Sequence, residues 1–365
     1  MSEQNKTTPT PQPGIMDIAL YVSGASHIAG ANEVIKLSSN ENPYGPPPAA
    51  IKALQDAAQA MHRYPNTDHG PLRNAIARTR GLSADRIICG VGSDEIISFL
   101  CYAYAGVDDE VIYTEHGFSM YKISARGAGA IPVVVREKNR VVDVDAILSA
   151  VTEKTKIVFV TNPGNPTGTR VPDADLARLV AALPAHIVLV LDGAYAEFSD
   201  GFDGGASMVE AHENVVMLRT FSKLYGLGGL RVGWGYGPKP IIDVLNRLRG
   251  PFNLSAPALA AAEAALSETD FVDMCIRENA RLRTKLATAL AALGIVSDPS
   301  HANFVLARFD SEQAAETADA MLQSKRIITR RVGGYGFPEG LRITIGDEAA
   351  IDAVIDALTL WKEAQ

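Results

Sequence analysis

Five short stretches of the sequence gather side chains that could form a covalent adduct, bind an anion or hold a proton. Lys223, in the run Thr220-Phe221-Ser222-Lys223, stands on a segment rich in glycine (Gly226, Gly228, Gly229) after an apolar run. A lysine whose pKa is lowered by burial becomes a nucleophilic, Schiff-base-forming amine. The ordinary alternative is a solvent-facing lysine. Arg231, further along the same segment, could reach the same anion as Ser222. In Gly90-Val91-Gly92-Ser93-Asp94-Glu95 a strand-like run turns into a helix-like one. Backbone N–H groups at such a helix start, with the Ser93 hydroxyl, make an anion site; a tight turn capped by Ser93 or Asp94 is the alternative. Two Asn-Pro steps between Asn162 and Gly168 stiffen a loop that carries the Asn165 amide to the tip of a strand. Asp192 ends the apolar run IVLVL, with Tyr195 close behind. A carboxylate there is costly to desolvate and calls for a charged partner, unless it caps a helix. Arg342, in LRITIG, follows Arg330 and Arg331 and sits in an otherwise apolar strand. It grips either a carboxylate or phosphate, or a structural counter-ion.

The elements around these residues alternate. Strand-like RIICGVG, DEVIYTE, KIVFVTNPGNPTG, HIVLVLDGAY and NVVMLRTFSK are separated by helix-like stretches such as DEIISFLCYAYA and SMYKISARGAG. Strands that are apolar throughout predict a mostly parallel sheet covered on both faces. Ligands of such α/β sheets collect at the carboxyl ends of the strands, where the candidate residues fall. A long helical stretch is predicted over 255–293, followed by a smaller α+β unit. The expected organisation is a disordered tail over 1–14, an arm over 15–44 packing with the small unit, a large domain over 45–260 and a small domain over 261–365.

A chain of 365 residues exceeds what one core serves well, so two lobes are expected. With 47% apolar and 21% charged residues the composition is that of a globular protein. No apolar run approaches a membrane span, and the polar, proline-rich opening does not read as a signal peptide. Three scattered cysteines favour a reducing cytoplasm over a disulfide framework. A net charge of −8 argues against nucleic acid as the main partner, and no basic helix-turn-helix region supports a DNA-binding regulator. The glycine fingerprint of a nicotinamide-dependent dehydrogenase is incomplete.

In this order, SSNENPYGP, RYP, GSDE, NPGNPTG, DGAYAEF, RTFSKLYGLGGLRVGW, GYGFPEG and LRITIG resemble the class I/II aminotransferases of fold type I, and most closely the histidinol-phosphate aminotransferase family. The resemblance runs from about Tyr21 to the C-terminus. It implies a large domain with a mostly parallel sheet, a smaller α+β C-terminal domain, and pyridoxal 5′-phosphate as cofactor. By the same resemblance Lys223 holds the cofactor as a Schiff base, Asp192 pairs with the pyridine nitrogen, and Asn165 and Tyr195 bond its phenolic oxygen. Ser93, Asp94 and Glu95, with Ser222 and Arg231, surround the phosphate. Tyr64 reaches that phosphate from the neighbouring subunit of a homodimer with shared active sites. Phe118 falls where family members often carry a tyrosine stacked on the ring; it keeps the stacking and loses the hydroxyl. Arg342 and Asn165 face the substrate's carboxylate, and Tyr21 and Arg330 its distal group. The implied reaction is transamination between histidinol phosphate and 2-oxoglutarate. Aromatic amino acid transamination and, further off, phosphothreonine decarboxylation share much of the pattern.

Overall fold

The computed structural model describes residues 9–20, 24–30 and 33–365; Tyr21 lies outside them. The chain begins with a short strand, β1 (Ile35–Lys36), and helices α1 (Pro48–Ala58) and α2 (Gly70–Arg80). Strands and helices then alternate: β2 (Ile87–Val91), α3 (Ser93–Tyr104), β3 (Glu110–Thr114), α4 (Ser119–Gly127), β4 (Ile131–Val135), α5 (Val144–Ala150), β5 (Thr155–Thr161), α6 (Asp173–Ala182) and β6 (Val188–Asp192). After α7 (Ala206–Ala211) and β7 (Val215–Thr220) the chain forms β8 (Val232–Tyr236) and the helices α8 (Lys239–Leu248), α9 (Ala256–Ala265) and α10 (Thr269–Ala292). The final part holds β9 (Phe304–Arg308), α11 (Glu312–Ser324), β10 (Ile327–Ile328), β11 (Arg330–Val332), β12 (Phe337–Thr344) and α12 (Glu348–Glu363).

The seven strands of the large sheet run in the order β2-β8-β7-β6-β5-β3-β4. Side chains alternate between two cores, as a strand buried on both faces requires. Val158 and Val160 of β5 pack with Leu72, Ile76 and Leu176 on one face, whereas Ile157 and Phe159 pack with Ile96, Tyr121 and Ile242 on the other. The parallel expectation holds for six strands, and β8 runs against its neighbours β2 and β7. The link from β7 to β8, residues 221–231, carries no helix long enough for a crossover, so the chain turns back beside itself. This reversal puts the start of β8 on the same edge as the ends of β2, β5, β6 and β7, and with it Arg231.

The predicted helical stretch over 255–293 is two helices, broken between Leu266 and Glu268. Along α10 the partner changes: Cys275 belongs to the core of the large sheet, while Leu282, Leu286 and Leu290 belong to a second core. That second core lies under the antiparallel sheet β11-β12-β9 and includes α11 and α12. The arm joins it through β1, which pairs in parallel with β10. Among the described residues no helix is long and apolar enough to cross a membrane.

Two glycines allow the backbone approaches that close the carboxyl edge of the large sheet. A Cβ on Gly233 would stand 2.2 Å from the Ser93 nitrogen, and one on Gly226, at φ +63°, 2.4 Å from the Gly45 carbonyl oxygen. Neither backbone neighbour can yield without moving a whole segment. Gly233→Ala is expected to cost about 2–3 kcal/mol of stability by overpacking. A lower denaturant midpoint with an unchanged slope is the measurement that checks it.

Candidate active site

A cavity of about 310 Å³ opens at the carboxyl edge of the large sheet, between that edge, the arm and the small antiparallel sheet. Ser93, Asp94, Phe118, Asn165, Asp192, Tyr195, Ser222, Lys223, Arg231, Arg330 and Arg342 all line it. Residues from seven separate stretches of sequence thus meet in one small volume.

Lys223 follows β7 on a loop held by a bond from Gly226 N–H to its own carbonyl. Its Nζ donates to the Ser39 carbonyl at 3.4 Å and stands 5.8 Å from the Tyr195 ring centroid. Burial, and then the nearby Arg342, lower the Lys223 pKa from 10.5 to about 8, with Glu41 acting in the other direction. Around pH 8 about half of the amine is therefore uncharged, the form that attacks a carbonyl carbon.

Asp192 ends β6 and is only 4% exposed. The Tyr121 hydroxyl donates to its Oδ2 at 2.7 Å and the Ala194 N–H to its Oδ1 at 3.1 Å. Burial raises its pKa, and these two donors hold it down. Both donors are neutral, so neither offsets the charge of the ionised carboxylate, and a cation in the cavity would favour that form. The helix-cap alternative is excluded, because no helix starts at Asp192.

The anion side of the cavity lies at the start of α3. The Asp143, Ser255, Ser311 and Asp347 side chains close the N-termini of α5, α9, α11 and α12 with hydrogen bonds, whereas the other helices, α3 among them, have no such cap. At α3 the capping position is Gly92, with no side-chain cap, so its first-turn N–H groups stay open. The expected alternative of a Ser93 or Asp94 cap is thereby corrected. Arg231, in the left-handed region at φ +55°, donates to Asp94 Oδ1 at 2.9 Å and to the Gly228 carbonyl at 3.1 Å. The terminal nitrogen that bonds Gly228 also lies 3.5 Å from the Ser222 hydroxyl, which in turn accepts from Thr220 at 2.9 Å. Uncapped helix amides, a hydroxyl and a guanidinium together suit a doubly charged phosphate.

On the opposite wall, Arg330 of β11 and Arg342 of β12 are direct cross-strand partners. Two guanidinium groups opposite one another repel unless an anion lies between them. Arg342 donates to Asn165 Oδ1 at 2.6 Å and to the Ser38 carbonyl at 2.8 Å. Phe118, at the start of α4, meets Tyr121 edge-on at 6.0 Å between centroids.

Two expected residues lie outside this cavity. The Glu95 carboxylate turns back to accept from Val91 N–H and from Asn253, each at 2.7 Å, and so braces the turn before α3. Tyr64 is 81% exposed and stacks on Phe252 at 4.4 Å. Other residues enter the site without having been singled out. Tyr121 and Thr161 sit behind Asp192, Asn40 donates to the Tyr195 hydroxyl at 2.9 Å, and Tyr335 lines the rim. Asn40 and Tyr335 belong to motifs already noted, SSNENPYGP and GYGFPEG. Tyr121 stands in the first turn of α4, where no local pattern distinguishes its buried hydroxyl.

The chain belongs to the aminotransferase class I and II family, whose profile matches residues 32–358. Among its curated relatives, the histidinol-phosphate aminotransferase of Ruegeria pomeroyi is 61% identical over 356 residues, covering 98% of this chain and 99% of that one. That of Cereibacter sphaeroides is 59% identical over 352 residues, with 96% and 98% covered. Among solved structures, the histidinol-phosphate aminotransferase of Sinorhizobium meliloti in complex with pyridoxal-5′-phosphate superposes with a TM-score of 0.89 at 26% identity, covering 100% of this chain and 99% of that one.

The lowered Lys223 pKa can be read directly on the cofactor-free protein. Aldehyde labelling followed by peptide mass spectrometry should show Lys223 modified with a midpoint near pH 8, well below surface lysines. Since the unfolded chain keeps that proton up to the ordinary 10.5, stability should also rise with pH between the two values.

Proposed function

We propose that this chain is a pyridoxal-phosphate-dependent aminotransferase that converts histidinol phosphate and 2-oxoglutarate into imidazole-acetol phosphate and glutamate. The substrate assignment rests on relatives of that name that are about three-fifths identical over nearly the whole chain. The observation that carries the chemistry is Lys223, a lysine of lowered pKa facing a buried carboxylate and an anion cradle in one cavity.

The residues present fit the cofactor. The open α3 N-terminus, Ser222 and Arg231 suit its phosphate, with Ser93 and Asp94 contributing backbone N–H groups. Asp192, bonded only to neutral donors above, suits a protonated ring nitrogen and would hold the proton there. Asn165 and Tyr195 would donate to the phenolic oxygen, and Phe118 would cover one face of the ring. When bound, pyridoxal phosphate supplies an electron sink for the pair left when a proton leaves the substrate's α-carbon.

The Lys223 amine would take that proton from the substrate's α-carbon and later return it to the bound cofactor. In the second half-reaction it moves a proton the opposite way. Arg342 binds the carboxylate of glutamate or 2-oxoglutarate, and Arg330 the distal group. A guanidinium accepts carboxylate and phosphate oxygens in the same forked geometry, so one arginine-rich wall can serve both substrates. The exposed Tyr64 ring supports a homodimer in which this residue completes the partner's phosphate site. Three buried free thiols are consistent with a cytoplasmic enzyme.

Lys223→Ala should abolish both turnover and the visible absorbance of the bound cofactor, whereas retention of both would sink the assignment. Asp192→Asn should lower kcat by at least about a hundredfold, as loss of a buried charge at the reacting group does. Arg330→Leu should cost about tenfold to a hundredfold in kcat/KM for histidinol phosphate, the worth of a charge-assisted pair, and far less for phenylalanine. Assaying both amino donors with 2-oxoglutarate decides the substrate. Faster turnover of phenylalanine would move the protein to the aromatic aminotransferases.

A further inference from the structure

Tyr195 can help the cofactor's phenolic oxygen only if its hydroxyl proton points into the cavity. A phenol O–H has one proton to give and can also accept, so its direction depends on what bonds it from behind. Behind Tyr195 lies Asn40, whose Nδ2 is 2.9 Å from the hydroxyl oxygen. An amide side chain presents a donor at one end and an acceptor at the other, and reversing it would turn the Tyr195 proton away from the cavity.

The rest of the chain of bonds sets that choice. The Asn40 backbone N–H donates to Thr344 Oγ1 at 3.0 Å, and a backbone N–H cannot accept. Thr344 has one proton of its own, and its hydroxyl lies 3.1 Å from Asn40 Oδ1. With the oxygen end of the amide taking that proton, the Nδ2 end must face Tyr195. Were the amide reversed, Thr344 would face two N–H donors and could no longer give its proton to Asn40. All three residues are at most 4% exposed, so water is poorly placed to substitute for any of these bonds. The Asn40 carbonyl also accepts from Asn303 Nδ2 at 3.0 Å, which ties the backbone of this residue to the small unit.

We propose that Thr344 and Asn40 are positioning residues that fix the Tyr195 hydroxyl as a donor into the cavity, through hydrogen bonds whose direction is set by one backbone N–H. The same strand treats the second amide alike. Arg342, two residues before Thr344, can only donate, so it claims Asn165 Oδ1 and turns the Asn165 NH₂ the other way. Strand β12 of the small unit thereby sets the direction of two donors that belong to the large one.

This inference rests on the reading that Tyr195 bonds the phenolic oxygen, and the test separates the two. The measurement is the pH titration of the bound cofactor's visible absorbance in the holoenzyme, whose midpoint reports the proton affinity of the Lys223 nitrogen. A donor on the phenolic oxygen draws off its negative charge, which would otherwise hold a proton on that nitrogen. Losing the donor therefore shifts the midpoint upward. Thr344→Val should raise it by about one pH unit, the worth of one hydrogen bond to a charged group. Thr344→Ser should leave it in place. Asn40→Gly, which suits the positive φ of 56° there, should also raise it and serves if the valine variant does not fold. Tyr195→Phe should raise it, and adding Thr344→Val to that variant should change nothing more. The other groups that bear on the Lys223 nitrogen, Arg342, Glu41, Arg231 and Asp192, are retained in every variant. A Tyr195→Phe shift with an unmoved Thr344→Val overturns the proposal alone, as do equal shifts for valine and serine. An unmoved Tyr195→Phe overturns the phenolic-oxygen reading and the proposal with it.

Discussion

Lys223 on the large unit and Arg342 on the small one stand close together in one small cavity, and much of the architecture answers that proximity. Repulsion between them, added to burial, is what leaves the lysine with a pKa of about 8. The same crowding makes an anion within the cavity welcome. Asp192 supplies fixed negative charge at one end, and the open helix amides and Arg231 await it at the other. A site with this charge pattern is ready for an anionic cofactor and an anionic substrate at once.

The two cations are held at this spacing by a third element that belongs to neither unit by sequence. The arm around residues 35–45 passes between them and bonds to both. Its Ser38 carbonyl takes Arg342, its Ser39 carbonyl takes Lys223, and its Asn42 amide reaches the Leu224 carbonyl at 2.6 Å. Gly45 then lies against Gly226, where no side chain could intervene. A segment with little regular structure thus does the work of a seam. Two of its carbonyls are satisfied by the site residues it orders, and neighbouring main-chain groups by strands β10 and β12.

Much of this was legible in the sequence. Apolar strands ending in polar residues identified the catalytic edge, because a charged or amide group at the tip of a buried strand has few structural uses. Lys223, Asp192 and Asn165 announced themselves that way, and Arg342 by standing inside an otherwise apolar strand. The reversal of β8 was not visible, since strand direction depends on the length and shape of a connection and not on the strand's own pattern. Glu95 was misplaced for a related reason: its neighbours Ser93 and Asp94 face the cavity, yet a helix turns successive residues by about a third of a turn or less, which carries Glu95 behind the loop. Tyr121, Thr161 and Thr344 were silent because a buried hydroxyl looks like any other helix or strand residue until its partner is known. Asn40 sat in a noted motif, but nothing local says that its amide answers to a threonine some three hundred residues later.

The helix α10 adds a mechanical consequence. Its 24 residues span about 36 Å, with the first part embedded in one core and the last part in the other. It is a beam built into two walls. Any swing of the small unit must bend this beam or tilt it within its sockets, so large hinge openings are resisted and small, shared flexures are favoured. Substrates would then be admitted by slight rocking, with the two walls of the cavity staying nearly in register throughout.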